Sequence, residues 1–284
     1  MAWTTPITLG RSGPSTSRIG LSSGYGISGA DVTRAFERGV RYFYFGSRRT
    51  SDFGRAIADL KGNRDQATLV VQSYTRAAWM LRGSLERALK TLGTDRADYL
   101  LLGWWNRVPP NRIVDAALAV KEAGLALHIL ISSHSRPTLV DLAADRRFDA
   151  LMLRYSAAHP GAEREVFPSL APVGQPQNRR VGVVAYTATR WGMLLDPKRT
   201  PDGDPTPRAS DCYRFALSNP HVDVCAIGPK NAAELDEALT TLDRGPMSAD
   251  EIAWMKRVGA HVREGAKNAP RGMAMGLLDR MCAT

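Results

Sequence analysis

The side chains in this sequence with the greatest capacity for chemistry are aromatic and cationic. They follow apolar, strand-like stretches, and a sheet of parallel strands binds its ligands at the carboxyl ends of the strands. The set comprises Tyr44, Arg48, Arg49, Tyr74, Arg76, Trp104, Trp105, Asn106, Ser132, Ser133, His134, Arg154, Tyr155, Tyr186, Thr187 and Arg190. It contains no carboxylate. Guanidinium groups bind oxyanions and stack on rings, so we expect an anionic or aromatic small molecule as the ligand.

His134 is the histidine best placed to act on a ligand. It follows a strand-like stretch and lies within Ser132-Ser133-His134-Ser135, with hydroxyls on both sides. An imidazole there could serve as a general base or contact a phosphate, although a lone histidine is more often a structural loop residue. We interpret His128, His159 and His221 as structural or exposed. No spacing typical of metal ligands is present, so no metal is expected.

The segment 228–235, Gly-Pro-Lys-Asn-Ala-Ala-Glu-Leu, is a second candidate site. Asn231 can cap a helix, with Glu234 reaching back as in a capping box. The helix N-terminus would then face an anion, and Lys230 would add positive charge. A capped helix with nothing bound is the alternative interpretation.

These candidates are positioned by eight strand-like stretches that alternate with helical ones. The predicted strands span 19–22, 41–45, 68–72, 97–106, 126–132, 149–154, 180–186 and 222–227. Among the predicted helices between them are 51–61, 138–145 and 162–170. The alternation predicts an α/β fold, a (β/α)8 TIM barrel formed as one domain over residues 1–284. We expect an N-terminal β-hairpin over 7–17 and an extra C-terminal helix over 248–264. Two doubly wound domains are the alternative, but neither a linker nor a GxGxxG motif supports them.

Composition excludes several classes of function. The net charge is +10, yet the basic residues are scattered and form no block, so we expect no nucleic-acid partner. No apolar run approaches the roughly 20 residues of a membrane helix, so no membrane association is expected. The start lacks a secretory pattern, and the three cysteines form neither a disulfide set nor a metal pair. We therefore predict a cytoplasmic protein whose last twenty residues wrap the outside or fray.

From about Ile7 to Leu242 the sequence resembles the aldo-keto reductases. The segments that carry the resemblance are Leu9-Gly10-Arg11-Ser12-Gly13, Asp98-Tyr99-Leu100-Leu101-Leu102-Gly103-Trp104, Val181-Gly182-Val183-Val184-Ala185-Tyr186-Thr187 and Ile227-Gly228-Pro229-Lys230-Asn231. The resemblance implies a barrel that transfers hydride from NADPH, with a tyrosine acid supported by lysine, histidine and aspartate.

None of those four catalytic residues is present at its matching position. The aspartate corresponds to Tyr44, the tyrosine lies near Arg49, the lysine corresponds to Tyr74 and the histidine to Gly103. We therefore predict a rebuilt site, with Tyr44, Tyr74, Arg49 and His134 as catalytic candidates. Tyr44 or Tyr74 would donate the proton if Arg49 or Arg76 lowered its pKa.

The cofactor-binding half of the family pattern matches better, which implies NADP(H) as the cofactor. Ser132 and Ser133 match positions near the nicotinamide amide. The loop 188–192 and the residues before it match the pyrophosphate site. By this resemblance the cofactor-binding residues are Ser132, Ser133, Tyr186, Thr187, Arg190, Gly228, Lys230, Asn231 and Glu237.

Three functions therefore compete. The sequence favours an aldo-keto reductase-like oxidoreductase with a non-standard catalytic site. The first alternative is a catalytically silent barrel that binds a nucleotide or metabolite. The second is a non-redox lyase or isomerase that acts through tyrosine, arginine and His134.

Overall fold

The computed structural model of this chain describes residues 3–11, 13–46, 48–170 and 180–268. Its strands are β1 (Ile7–Thr8), β2 (Ser15–Thr16), β3 (Ile19–Ser22), β4 (Tyr42–Phe45), β5 (Thr68–Ser73), β6 (Ala97–Leu102), β7 (Ala126–Ser132), β8 (Ala150–Arg154), β9 (Gly182–Tyr186) and β10 (Val224–Ile227). Its α-helices are α1 (Gly29–Glu37), α2 (Ser51–Ala58), α3 (Ala78–Leu92), α4 (Asn111–Glu122), α5 (Arg136–Ala144), α6 (Ala162–Glu165), α7 (Ala209–Ser218), α8 (Ala232–Arg244) and α9 (Ala249–Asn268).

Strands β3 to β10 form a closed parallel barrel. The barrel closes where β10 pairs with β3, with Ile227 opposite Leu21, and the other strands pair in chain order. This confirms the predicted (β/α)8 fold, and the interpretation as two doubly wound domains is wrong. The antiparallel pair β1–β2 confirms the N-terminal hairpin, and α9 is the extra C-terminal helix. Of the last twenty residues, which were predicted to wrap the outside or fray, 265–268 belong to α9 and 269–284 lie outside the described residues. The single domain over 1–284 therefore stays a prediction.

Alternate strand residues serve two separate cores. On β5, Val70 belongs to the barrel interior, whereas Leu69 and Val71 pack outward against the helices. This alternation follows from the pleat, which directs successive side chains to opposite faces of the sheet. Because both faces are buried, the strands are mostly apolar on both faces.

The hairpin closes the amino-terminal end of the barrel. Leu9 is fully buried, and its carbonyl oxygen accepts a 2.6 Å hydrogen bond from the Tyr99 hydroxyl. Gly10 has a φ of +77°, and a Cβ there would lie 2.3 Å from the carbonyl oxygen of Asp149. A glycine is therefore required where the hairpin meets the barrel. The carboxyl ends of the strands remain as the place for a site.

Several predicted helices differ from the observed ones at their ends. The helix predicted over 51–61 ends at Ala58, and a 3-10 helix follows at Lys61–Gln66. The helix predicted over 162–170 is the short α6 followed by the 3-10 helix Phe167–Ser169, which has Pro168 in its first turn. A proline removes an N–H donor, so it ends one helix and begins the next. Pro137 has the same role in α5, which begins two residues earlier than predicted, after the Ser135 cap.

Candidate active site

The mouth of the barrel is formed by the carboxyl ends of β3 to β10. Tyr44 is the penultimate residue of β4, Tyr74 directly follows β5 and Gly103 directly follows β6. This confirms that all three lie at the rim. Each barrel strand places every second residue inward, so Gln72 joins them two residues after the interior Val70.

Tyr44, Gln72, Tyr74 and Gly103 form a group that we call the neutral cluster. The Tyr44 hydroxyl donates a hydrogen bond to Gln72 Oε1. A Cβ on Gly103 would lie 2.3 Å from Gln72 Nε2 and 2.8 Å from Cε1 of Tyr74. The side chains of Gln72 and Tyr74 therefore fill the space that a side chain at position 103 would need.

Burial raises the pKa of Tyr44 well above its usual value, and the neighbouring hydroxyls, Tyr74 first, act in the same direction. The Arg49 guanidinium donates to the backbone carbonyls of Ser84 and Gln72 and lies over the Phe45 ring. The prediction that a nearby arginine lowers the pKa of Tyr44 is therefore wrong, because burial outweighs any favourable charge. Tyr44 remains a neutral phenol near pH 7.

Arg76 holds two rim loops together. Its guanidinium donates to the carbonyl oxygens of Tyr74 and Gly103, both at 3.1 Å, and to that of Trp104. It also stacks 4.0 Å from the centre of the Trp105 ring. These contacts direct the Arg76 guanidinium to backbone carbonyls, so Arg76 supports the loops after β5 and β6.

The predicted cofactor serines stabilise the backbone of the neighbouring loops. Ser132 Oγ accepts the Trp104 N–H at 2.8 Å, and the Ser132 carbonyl accepts the Trp105 N–H at 2.7 Å. Ser133 Oγ accepts the Ser135 N–H at 3.0 Å. Both serines are buried at the predicted end of β7. Their contact with a cofactor stays a prediction.

His134 lies between two aromatic rings at the mouth. Its ring centre is 5.2 Å from that of Trp104 and 6.2 Å from that of Tyr186. Burial, and then the charge of Arg154, lower the pKa of His134 to about 4. The imidazole is therefore neutral near pH 7, so it offers a ligand hydrogen bonds and little basicity.

A second group, Arg154, His159, Arg190 and Trp191, forms what we call the cationic cluster. Arg190 Nη1 lies 2.7 Å from His159 Nδ1 and 2.6 Å from Nε2, and the Arg154 guanidinium lies 5.0 Å from the centre of the Trp191 ring. Burial, followed by the charges of Arg190 and Arg154, lowers the pKa of His159 to about 3. We interpreted His159 from its sequence position as structural or exposed, and did not predict its contact with Arg190. Its location shortly after β8 was the available signal.

Backbone strain is concentrated at the rim. Among the described non-glycine residues, five have a positive φ, and only Lys61 lies away from the mouth. The other four are Trp104 at +57°, Thr187 at +56°, Arg190 at +51° and Trp191 at +54°. Such conformations cost free energy and are typical of ligand sites. Three of the four lie in the loop after β9, where the sequence predicted pyrophosphate binding.

The start of α8 has the predicted cap. Asn231 Oδ1 accepts the Glu234 N–H at 2.9 Å, and a carboxylate oxygen of Glu234 accepts the Lys230 N–H at 2.9 Å. The backbone donor is thus Lys230, rather than Asn231 as a capping box would have it. The Tyr25 ring lies over Gly228, where a Cβ would approach it to 2.6 Å.

Glu237 lies one turn further along α8 and joins it to α7. Its Oε1 accepts a 2.7 Å hydrogen bond from the Ser210 hydroxyl, and its other oxygen pairs with Arg208. The structure brings Gly228, Lys230 and Asn231 together and keeps Glu237 nearby with these protein partners.

Within the described ranges, no group of three or more histidine, cysteine, aspartate or glutamate side chains could hold a metal ion. No described helix is long and apolar enough to span a bilayer.

The architecture and the rim define a (β/α)8-barrel protein with its candidate site at the carboxyl ends of the strands. Residues 28–211 match the model of the aldo/keto reductase family, so the chain belongs to this family. Membership implies an oxidoreductase with small-molecule substrates, and members generally bind NADP(H). No curated protein matches the chain.

Among solved structures, the chain is similar to the aldo-keto reductase AKR11C1 from Bacillus halodurans. The holo form aligns with a TM-score of 0.71 at 17% identity, over 89% of this chain and 96% of that one. The apo form gives a TM-score of 0.70 at 19% identity, with coverage of 89% and 95%. At this identity the likeness establishes a shared fold.

Proposed function

We propose that this protein is an NADP(H)-dependent oxidoreductase that reduces the carbonyl group of an anionic or aromatic small molecule at a non-standard site. The observation that carries the proposal is the division of the rim. The β9 and β10 side has the strained loop and the capped helix expected around a dinucleotide, whereas the β4 to β6 side replaces the family's acid with the neutral cluster.

The residues present fit the proposed cofactor. Four residues of the loop 187–192 have a positive φ, namely Thr187, Arg190, Trp191 and Gly192. Compact turns with such residues can bind anions through the backbone N–H groups that stay unbonded within the loop. Lys230 is exposed beside the N-terminus of α8, where positive charge and the helix dipole favour a phosphate. When bound, NADPH would supply the hydride.

The chain itself would position the reacting groups. Tyr186 ends β9 beside His134, so the two rings can pack against a flat ligand. The proton for the carbonyl oxygen would come from Tyr74, whose side chain is 46% exposed next to Gly103. Tyr44 is less suited, because its hydroxyl is bonded to Gln72 and its raised pKa disfavours a phenolate. We place the protein in the cytoplasm, where the buried free thiols of Cys212 and Cys225 would remain reduced.

A second candidate function is nucleotide or metabolite binding without turnover. It is favoured by the raised pKa of Tyr44, which leaves the neutral cluster without a readily ionised acid. The lyase or isomerase interpretation needs a base that titrates near neutrality, and the lowered pKa of His134 argues against that role.

The test combines binding with turnover. Purified protein is titrated with NADPH while the cofactor fluorescence is followed, and 4-carboxybenzaldehyde reduction is then measured by formation of the alcohol. We expect binding, turnover of this anionic aldehyde and negligible turnover of unsubstituted aliphatic aldehydes. Binding without turnover of any carbonyl would favour the second function. An absence of NADPH binding would exclude the proposed reductase.

A further inference from the structure

We infer that Gln72 is the donor that orients the substrate's carbonyl oxygen, with its amide in the space that a side chain at position 103 would occupy. This inference rests on the proposed function and identifies the residue that replaces the missing side chain at position 103. Gln72 would donate a hydrogen bond and would transfer neither a proton nor an electron.

The position of Gln72 carries the inference. It lies on the inner face of β5, between Tyr44 of β4 and Gly103 after β6, and it is only 5% exposed. A polar side chain buried to this extent is uncommon in the wall of a barrel otherwise lined by Val70, Leu101 and similar residues. Such a residue requires partners for its amide oxygen and its amide nitrogen.

Within the described residues, only the amide oxygen of Gln72 has a hydrogen-bond partner. Gln72 Oε1 accepts the Tyr44 hydroxyl, and this contact holds the amide against the inner wall of the barrel with Nε2 on the side of Gly103. Among the described residues, Nε2 donates a hydrogen bond to no protein acceptor. The two N–H groups on Nε2 are therefore available to a ligand at the mouth.

Gln72 Nε2 lies where the side chain of a residue at position 103 would begin. The nitrogen lies 2.3 Å from the point where a Cβ on residue 103 would stand. A side chain at 103 and the Gln72 amide therefore exclude one another. The amide places its donors where a residue at the end of β6 would otherwise contact the substrate.

An amide suits this environment for a physical reason. Charge develops on the carbonyl oxygen during reduction, and side-chain amide donors can stabilise it without ionising. Burial strengthens such a hydrogen bond because few waters screen it. Tyr44 acts as a positioning residue, since its hydroxyl holds Oε1 and so directs Nε2 outward.

The test begins with a measurement that does not depend on turnover. The side-chain amide resonances of Gln72 are assigned in a ¹⁵N-labelled protein as the pair lost in Gln72→Leu. The wild type is then titrated with 4-carboxybenzaldehyde, with and without NADP⁺. We expect the Gln72 pair to shift in both titrations. If the pair shifts in neither titration, the inference is overturned.

Affinity gives the second measurement. Loss of one neutral hydrogen bond should weaken binding of the aldehyde by about three- to tenfold in Gln72→Leu, with the NADPH dissociation constant unchanged. Gln66→Leu is the matched control, because Gln66 is exposed in the 3-10 helix Lys61–Gln66, and it should behave as the wild type. Should Gln72→Leu fail to fold, Gln72→Met fills a similar volume without donors.

The outcomes separate this inference from the proposed function. Wild-type aldehyde affinity in a folded Gln72→Leu or Gln72→Met protein would overturn the role of Gln72, even if the protein reduces aldehydes. A failure of the wild type to bind NADPH would defeat the proposed function, whereas the titration without nucleotide would still decide the role of Gln72.

Discussion

The two sides of the barrel mouth differ in the charge of their partly buried polar side chains. On the β4 to β6 side, the neutral cluster contains hydroxyl and amide groups, and burial keeps Tyr44 protonated by raising its pKa. On the β8 to β9 side, the cationic cluster gathers Arg154 and Arg190, and their charges help keep His159 neutral by lowering its pKa.

In the proposed function, this difference would separate cofactor binding from acid chemistry. In the aldo-keto reductases as a family, one rim serves both the cofactor and the proton donor. In the function proposed above, the side after β8 to β10 would hold the dinucleotide, and the neutral cluster would act without the lysine and aspartate that the family resemblance implies. The four predictions below test this contrast, beginning with the largest expected effect.

Tyr74→Phe should cause the largest loss, because it removes the half-exposed phenol beside Gly103. General acid catalysis contributes about 10²–10⁴-fold, so kcat/KM for 4-carboxybenzaldehyde should fall by about that factor. Steady-state kinetics with saturating NADPH measure this change. Tyr44→Phe is the comparison variant from the same cluster and should cost only about three- to tenfold, because it releases the Gln72 amide but leaves the proton donor in place. If Tyr44→Phe abolishes turnover and Tyr74→Phe does not, the donor is Tyr44 despite its raised pKa.

Lys230→Ala tests the proposed phosphate site between β10 and α8. Removal of a charge-assisted contact to the 2′-phosphate should weaken NADPH binding by about 1.5–3 kcal/mol. NADH lacks that phosphate, so its affinity should hardly change. Fluorescence titrations with both nucleotides give the comparison, with Lys90→Ala on the exposed surface of α3 as the control. An equal loss for both nucleotides would show that Lys230 does not read the phosphate.

Gly103→Ala tests the packing of the neutral cluster. The new methyl group would meet Gln72 Nε2 at 2.3 Å and the Tyr74 ring at 2.8 Å, so side chains must move. Overpacking of this kind costs about 1–3 kcal/mol in the free energy of unfolding, measured by urea denaturation. Gly62→Ala is the control, since no atom lies within 4 Å of the added Cβ. Equal stability of the two variants would contradict the described packing.

The pH dependence of stability should show the smallest effect. His134 and His159 have folded pKa values lowered to about 4 and about 3, below the value of about 6.5 in an unfolded chain. Between these values the unfolded chain binds more protons, so folding stability is full above pH 6.5 and falls as the pH decreases. From pH 7 to pH 5 the loss from His159 should be about 1 kcal/mol after allowance for solvent screening.

His159→Asn checks that assignment. Urea unfolding at pH 5 and pH 7 should show a smaller stability difference in the variant than in the wild type. The interval from pH 5 to pH 7 lies above the usual pKa range of carboxylates, so acidic groups contribute little to the change in stability. An unchanged difference would mean that His159 is solvated and protonates freely.

The barrel was predictable because its strands are buried on both faces. Apolar runs such as 97–102 alternate with amphipathic helices, and that pattern fits few architectures. The Asn231 cap was predictable for a local reason, since a cap depends on residues within one turn. Helix ends near Ala58 and Pro168 were less so, because 3-10 and α-helical turns differ little in sequence.

Two features of the candidate site were not predicted from the sequence. Gln72 is one polar residue in an apolar strand, and only its alternation with Val70 indicates that it faces the interior. His159 lies outside any motif, and its contact with Arg190 joins loops after two different strands. The pKa of Tyr44 also could not be inferred, because burial is a property of the assembled barrel.

The closure of the barrel between β3 and β10 has a consequence for synthesis. The Arg18 guanidinium, just before β3, donates to the carbonyl of Leu217, 199 residues later, and the Cys225 N–H donates to the Arg18 carbonyl. During synthesis, one edge of β3 therefore stays unpaired until β10 has emerged from the ribosome. An open edge can pair with other chains. The nascent protein is accordingly most vulnerable to aggregation late in translation, when most of its core already exists and its ring is still incomplete.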